Sequence, residues 1–280
     1  MKSRTNPWHI VRRILIYLLL TAVSLAVIFP LYYAVAISVV ADNDVSQYPP
    51  PVIPTSFQPV ENFRRAFEMA PLLRYLGNSV VQSSLVTLSH LVLASLAAYA
   101  FAFIPFRGKQ IVFLIFLSTM MIPWEATLIP NYLLIGNLRW KDTFQGLAAP
   151  FMATAFGTFL LRQFFMSIPK ELQDAATIDG CGHLRFLTTI VTPLARPALG
   201  TLAVYSFLQT YNQYTWPLLI TNKPEMRTVQ IGLALLQDEE RFMWNVVMAG
   251  VVVILIPTFT LFIAGNRQLI RGLTAGAVKG

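Results

Sequence analysis

Residues 14–40 read ILIYLLLTAVSLAVIFPLYYAVAISVV, 27 positions without Asp, Glu, Lys or Arg. At 1.5 Å per residue, about 20 such positions cross the roughly 30 Å of hydrocarbon in a bilayer. No water reaches the backbone there, so a single spanning segment has to be a helix. Lys2, Arg4, Arg12 and Arg13 precede the run and Ala34-Val35-Ala36 lies near its end, which resembles a signal peptide. The apolar part of a signal peptide is about 7–15 residues, far shorter than this run, so an uncleaved first span is expected.

Working outward, five further apolar runs appear: Ser79–Phe103, Ile111–Trp124 extended weakly to Ile135, Phe144–Leu161, Ala198–Ile220 and Phe242–Ala264. The third has to stop near Glu125 or tolerate it. The composition agrees with six spans. The 280 residues are 55% hydrophobic and 12% charged, with a mean hydropathy of +0.58, whereas soluble domains carry about 25% charged residues. An all-α polytopic membrane protein, one transmembrane domain over residues 1–280, is the expected fold. The alternation of an outer-membrane barrel is absent, as are repeats. Cys181 is the lone cysteine, and His9, His90 and His183 are isolated, so neither a disulfide nor a metal centre is expected. The net charge of +8 is read as basic cytoplasmic loops rather than a nucleic-acid surface.

With the N-terminus in the cytoplasm, the inside segments 1–13, 104–110, 162–197 and 265–280 hold 13 of the 21 basic residues and three of the 13 acidic ones. That bias predicts cytoplasmic N- and C-termini. On the outer side, Pro49, Pro50, Pro51 and Pro54 predict a stiff extended stretch. Phe63, Phe67 and Ala70 have helical spacing within Val60–Tyr75, which predicts an interfacial helix. Pro30 and Pro257 are expected to kink spans one and six.

One inside loop is too long and too apolar for a connector. Residues 162–197 read RQFFMSIPKELQDAATIDGCGHLRFLTTIVTPLARP. Ser167 is a candidate cap for a helix with Pro169 in its first turn and Glu171 at the positive end of its dipole. Leu172, Ala175, Ala176 and Ile178 form its apolar face, and Gly180 is placed to stop it in a left-handed turn. A second helix, His183–Val191, ends at Pro193. A helix–Gly–helix elbow of this kind either docks a partner or packs on its own bundle.

Asp174-Ala175-Ala176-x-x-Asp179-Gly180, followed by Pro193-Leu194-x-x-Pro197, resembles the "EAA" loop of bacterial ABC-importer permeases, with Asp in place of the usual Glu and Cys181 where Ala often follows the Gly. Asn78-Ser79 with Ala97-Ala98-Tyr99-Ala100-Phe101-Ala102, Met121-Ile122-Pro123, Leu128-Ile129-Pro130 and Phe156–Phe165 with Ile168-Pro169 resemble other parts of that family. The tail Gly272–Gly280 is similar to the carbohydrate-uptake branch, which includes the smaller subunit of the maltose permease. Tyr211-Asn212-Gln213-Tyr214-Thr215-Trp216 looks most like glycerol-3-phosphate permeases.

The resemblance implies a six-helix permease of the type I importer kind in the bacterial inner membrane, moving a carbohydrate or glycerol 3-phosphate. Its implied partners are a second permease subunit, two ATPase subunits and an extracytoplasmic binding protein. Glu171, Asp174, Ala175, Ala176, Asp179 and Gly180 would carry the ATPase contact. ATP and Mg would be bound by the ATPase, leaving this chain without a cofactor or catalytic residue. Its Gly108-Lys109 lacks the rest of a P-loop and is read as a basic anchor in a short turn.

For the solute path, Gln209, Tyr211, Asn212, Gln213 and Trp216 are the candidates, because polar residues within spans are costly. Read as one helix, Gln209/Gln213 and Asn212/Trp216 are i,i+4 pairs forming two stripes. Helix–helix hydrogen bonding and interfacial anchoring explain the same residues equally well. His90 is read as a neutral packed residue. A secondary transporter is the alternative class, but such proteins show internal repeats and intramembrane carboxylates, and neither is found. A membrane enzyme would need paired acids, a nucleophile set or metal ligands, also not found.

Overall fold

The computed structural model describes residues 7–47, 49, 51–237 and 243–274, and among these every regular element is helical. Val11–Ser38, Leu72–Phe103 and Trp244–Gly265 are each long and apolar enough to cross a membrane. Three bent helix pairs supply the rest of up to six spans: Lys109–Met121 with Trp124–Asn137 at 90°, Phe144–Phe151 with Ala155–Phe165 at 51°, and His183–Leu194 with Arg196–Tyr211 at 83°. The chain divides into two compact units, Met1–Leu72 with Leu233–Ile254, and Leu73–Gly232 with Leu255–Gly280.

Proline explains several breaks. The apolar run 111–135 is not one straight helix. It turns through 90° at Ile122-Pro123, where Ile122 is extended and Pro123 precedes the helix Trp124–Asn137. The residue before a proline is pushed out of the helical region. Glu125 falls in the first turn of the new helix, where the dipole favours an anion. The run 144–161 likewise breaks after Phe151, and Thr154 restarts the helix Ala155–Phe165 by accepting from the Gly157 N–H at 3.2 Å. The expected interfacial helix Val60–Tyr75 is shorter. It covers Pro59–Met69, Ala70 is extended before Pro71, and Tyr75 belongs to the long helix Leu72–Phe103. Pro30 and Pro257 sit inside continuous helices. Of the proline-rich stretch, Pro50 lies outside the described residues, as do Phe242 and positions 275–280 of the tail.

The first unit is tied at the end of its first helix by a polar knot. Asn62, 1% exposed, donates its amide to the carbonyls of Ser38 and Val40, both at 2.9 Å. These carbonyls belong to the helix end, where the intrahelical partners have run out. Asn245, equally buried, has its amide nitrogen near Val40 O, Asp42 Oδ1 and Asn62 Oδ1 at 3.0, 2.6 and 3.0 Å. Arg65 donates to Asp42 at 2.7 Å and to Glu61 at 2.7 Å. Most of the first helix before this knot is exposed: Leu15, Leu18, Leu19, Leu25 and Val27 all have open side chains.

In the second unit one core joins the elbow to the bundle. Ala94, Ala98 and Tyr99 from Leu72–Phe103 pack with Leu161, Phe165, Ile168, Ala176, Phe186, Leu187, Val191, Ala198 and Leu202. A separate cluster surrounds buried Trp216, whose indole N–H donates to Gly146 O at 3.1 Å. Gly146 is required there, since a Cβ would lie 2.1 Å from the carbonyl oxygen of Trp140.

Candidate functional site

The elbow begins at Ile168 and Pro169. Ser167 does not cap its helix: the hydroxyl turns back and donates to Phe164 O at 2.6 Å, as a serine at a helix end readily does. The helix Lys170–Ile178 instead follows Pro169, with Glu171 in its first turn. It stops in a full Schellman motif. Gly180 has φ +72, its N–H donates to Thr177 O at 3.0 Å, and the Cys181 N–H donates to Ala176 O at 2.8 Å. The expected left-handed stop is therefore present, and nothing lies within 4 Å of where a Gly180 Cβ would stand.

The helix does not bury the whole face that its spacing suggested. Ala176 is buried in the bundle core. Ala175 and Leu172 are exposed, and Ile178 is 86% exposed. Asp174, Asp179 and Glu171 share that open surface, and Leu184, 67% exposed, extends it beyond the turn. The two adjacent alanines thus divide, Ala176 into this chain and Ala175 outward.

The second arm is longer than expected. It runs from His183 to Leu194, through five residues of π-helix at Leu187–Val191, and bends at Ala195 rather than stopping at Pro193. A proline ring clashes with the carbonyl four residues back in a regular helix. A wider turn just before Pro193 relieves that clash.

A contact that sequence spacing missed fastens this arm. The Tyr99 hydroxyl lies 2.9 Å from His183 Nδ1, with the rings edge to face at 5.9 Å. Tyr99 also packs on Phe103 and Phe186 at 5.1 and 6.3 Å. Tyr99 lies in the Ala97–Ala102 segment and His183 opens the second arm, but their 84-residue separation hides the pairing. Lys109 is similarly placed. It folds back and donates to the carbonyls of Ala102 and Ile104, both at 3.1 Å, tying off the C-terminal end of Leu72–Phe103.

The two stripes expected in span five do not exist. The helix Arg196–Tyr211 ends, residues 212–214 are irregular, and a short helix Thr215–Ile220 follows. Pro217 has no N–H for the Gln213 carbonyl, so a regular helix could not continue through this register. Gln209 and Asn212 are exposed. Asn212 donates to Leu208 O at 2.9 Å and accepts from Gln230 Nε2 at 3.3 Å. Tyr211 is buried and stacks on Phe207 at 5.7 Å. Gln213 accepts from buried Gln82 at 3.0 Å, and Trp216 is in the core described above. The five candidates therefore separate into two open amides and three packed side chains. His90 bridges Ser206 Oγ at 2.8 Å and Phe151 O at 2.6 Å, a packed and satisfied histidine as expected.

Among the described residues no group of His, Cys, Asp and Glu is arranged to hold a metal. The open features are an elbow with apolar and acidic surface and a broken helix carrying amides.

The chain resembles solved transporters over nearly its full length. It covers 95% of its residues and 98% of a chain from a bacterial ABC transporter that imports the acidic polysaccharide alginate, with a TM-score of 0.81 at 23% identity. A bacterial alginate ABC transporter bound to a pentasaccharide-loaded periplasmic protein matches with a TM-score of 0.65 at 16% identity, covering 93% and 96%. These likenesses establish the fold. In sequence, the chain is 36% identical over 256 residues to the sn-glycerol-3-phosphate transport system permease protein UgpE of Yersinia enterocolitica, covering 89% of this chain and 91% of that one. It is 34% identical over 271 residues to the corresponding protein of Agrobacterium fabrum, covering 94% and 96%. Residues 90–273, which contain the elbow and the broken fifth span, match the family described as the inner membrane component of binding-protein-dependent transport systems, and the chain is a member of that family, a permease subunit of an ABC importer.

Proposed function

We propose that this permease carries sn-glycerol 3-phosphate or a carbohydrate of similar polyol character, received from an extracytoplasmic binding protein, and is driven by a separate ATPase that docks on the elbow. The observation that carries the docking reading is the outward surface of Lys170–Ile178, where Ile178, Leu172 and Ala175 are open beside Glu171, Asp174 and Asp179. An apolar surface rimmed by charge suits a protein partner better than water. Ala175 lets a partner backbone come close, while Ala176 and the Schellman turn hold the helix to the bundle.

In this reading two permease subunits form the pore, with both termini of this chain cytoplasmic. ATP closes the ATPase pair and draws the elbows together, because ATP binds the closed pair better than the open one. ATP and Mg belong to the ATPase. The permease residues bind, position and transmit. The open amides of Gln209 and Asn212 offer donors and acceptors to solute hydroxyls, and relatives at 34–36% identity are named for sn-glycerol 3-phosphate. The test is uptake into liposomes holding this chain, its partner permease and the ATPase, with loaded binding protein outside. ATP-dependent uptake of glycerol 3-phosphate or of a neutral sugar is expected. Uptake driven by an ion gradient without ATP would overturn the reading and favour a secondary transporter.

A further inference from the structure

We infer that the Tyr99–His183 hydrogen bond is the pin through which elbow movement is passed to the second span, so that the two are positioning residues for transport. This rests on the reading of the elbow as the ATPase-docking element.

The contacts between the elbow and the bundle are mostly apolar: Ala176, Phe186 and Leu187 against Ala98, Phe103 and Phe165. Such contacts are strong but non-directional, and they let one packed element slide on another. A hydrogen bond weakens steeply with distance and angle. Here the directional tie joins Tyr99, 4% exposed near the end of Leu72–Phe103, to the first residue of the elbow's second arm, at 2.9 Å. An open surface pocket of about 120 Å³ lies beside it, lined by Tyr99, Gln173, Thr177, Cys181, Gly182 and His183, among others. That open space leaves room for the first arm to shift, while the pin fixes the second arm to the span. The hydroxyl can act as donor or acceptor toward the ring nitrogen, and the tie acts mechanically.

The variants are Tyr99→Phe, which removes one oxygen and keeps the ring contacts, His183→Ala, their combination, and His183→Gln, which restores a polar partner. Each is made in the full complex in liposomes, reading solute moved per ATP hydrolysed alongside ATPase co-purification. Tyr99→Phe is expected to leave co-purification and basal hydrolysis unchanged but to lower solute moved per ATP by about fivefold, a typical size for coupling between sites. His183→Ala should do the same, the double variant no worse, and His183→Gln should recover part of the loss. Amide exchange over 183–191 should quicken in Tyr99→Phe, because the local opening cost falls.

Unchanged solute per ATP in Tyr99→Phe would overturn the pin. A loss matched by loss of assembled complex would also overturn it, since the pair would then only hold the fold. If the wild-type complex fails to retain the ATPase, the docking reading itself fails. Amide exchange then decides the pin alone: unchanged exchange over 183–191 overturns it, and faster exchange supports it.

Discussion

The polar knot around Asn62 and the elbow around Gly180 both sit where a helix ends, yet they are held in opposite ways. In the knot, buried amides reach helix carbonyls and an Arg65–Asp42 pair closes the outside. In the elbow, the backbone caps itself through Gly180, apolar side chains supply the packing, and the polar tie to the bundle is Tyr99–His183. The knot spends its polar groups inward. The elbow leaves Ile178 and Leu184 open. A network of buried amides locked onto carbonyls has one geometry and suits anchoring, whereas apolar packing tolerates displacement and leaves the Tyr99–His183 tie to pass movement on.

The sharpest break in this comparison is all-or-none. In a Cys181→Ser background, a cysteine at Asp44, beside the knot, should react with an impermeant thiol reagent added outside intact cells, while one at Lys170, on the elbow, should be shielded. Outside labelling at position 170 would put the elbow in the wrong solvent for an ATPase.

The next effect is on stability. Asn62→Ala removes the donor facing Ser38 O and one of those facing Val40 O, and a buried group left without a partner costs about 1–3 kcal/mol. The thermal midpoint of the purified complex should fall, while stimulated ATP hydrolysis below that midpoint stays near wild type. Loss of stimulated hydrolysis at unchanged midpoint would place the knot in the coupling path instead.

The elbow should answer in reverse. Gly180→Val has open space for its side chain, so its cost is purely that of a β-branched residue at positive φ, about 1–2 kcal/mol. Ala175→Trp adds bulk on the open side, where a tight interface would lose about 1–3 kcal/mol. Both variants should insert and assemble with the partner permease yet lose the ATPase or its stimulation, read by co-purification and by hydrolysis in liposomes. Full retention in both would mean the elbow serves only its own bundle.

The smallest effect is electrostatic. Hydrogen bonds from Arg65 and then Arg64 hold the Glu61 carboxyl below its ordinary range. A depressed carboxylate contributes stability above its unfolded pKa and loses it as the pH falls through the lower folded value. Acidification below about pH 4 should therefore weaken the wild type slightly more than Glu61→Gln. The pairs are well exposed, and such pairs are worth little. An equal response of the two proteins would mean the pairs contribute nothing.

Much of this was legible from the sequence. Charge-free runs predict helices because the bilayer leaves the backbone no other solution, and Gly180 predicts its turn because few other residues accept that φ. What stayed hidden depends on contacts distant in sequence. The stripe Gln209–Trp216 looked continuous because i,i+4 spacing assumes a helix, and Pro217 with the Gln82–Gln213 bond cancels that assumption. Ala175 and Ala176 are identical in composition, and only the packing of Phe165 and Phe186 nearby decides which turns inward. Tyr99 and His183 give no local signal, since each is an ordinary residue until the bundle brings them together.

The open first helix has a consequence for how the chain changes over generations. Through most of Val11–Ser38 the side chains are open among the described residues. Within the subunit, the demand on those positions is solubility in oil rather than fit. Leu, Ile, Val and Phe should therefore exchange there almost freely, and a charged residue should be rejected at nearly any of them. Across related chains the segment would drift in letters while keeping its character, up to Ala34 and Ile37, where neighbours begin and shape starts to matter.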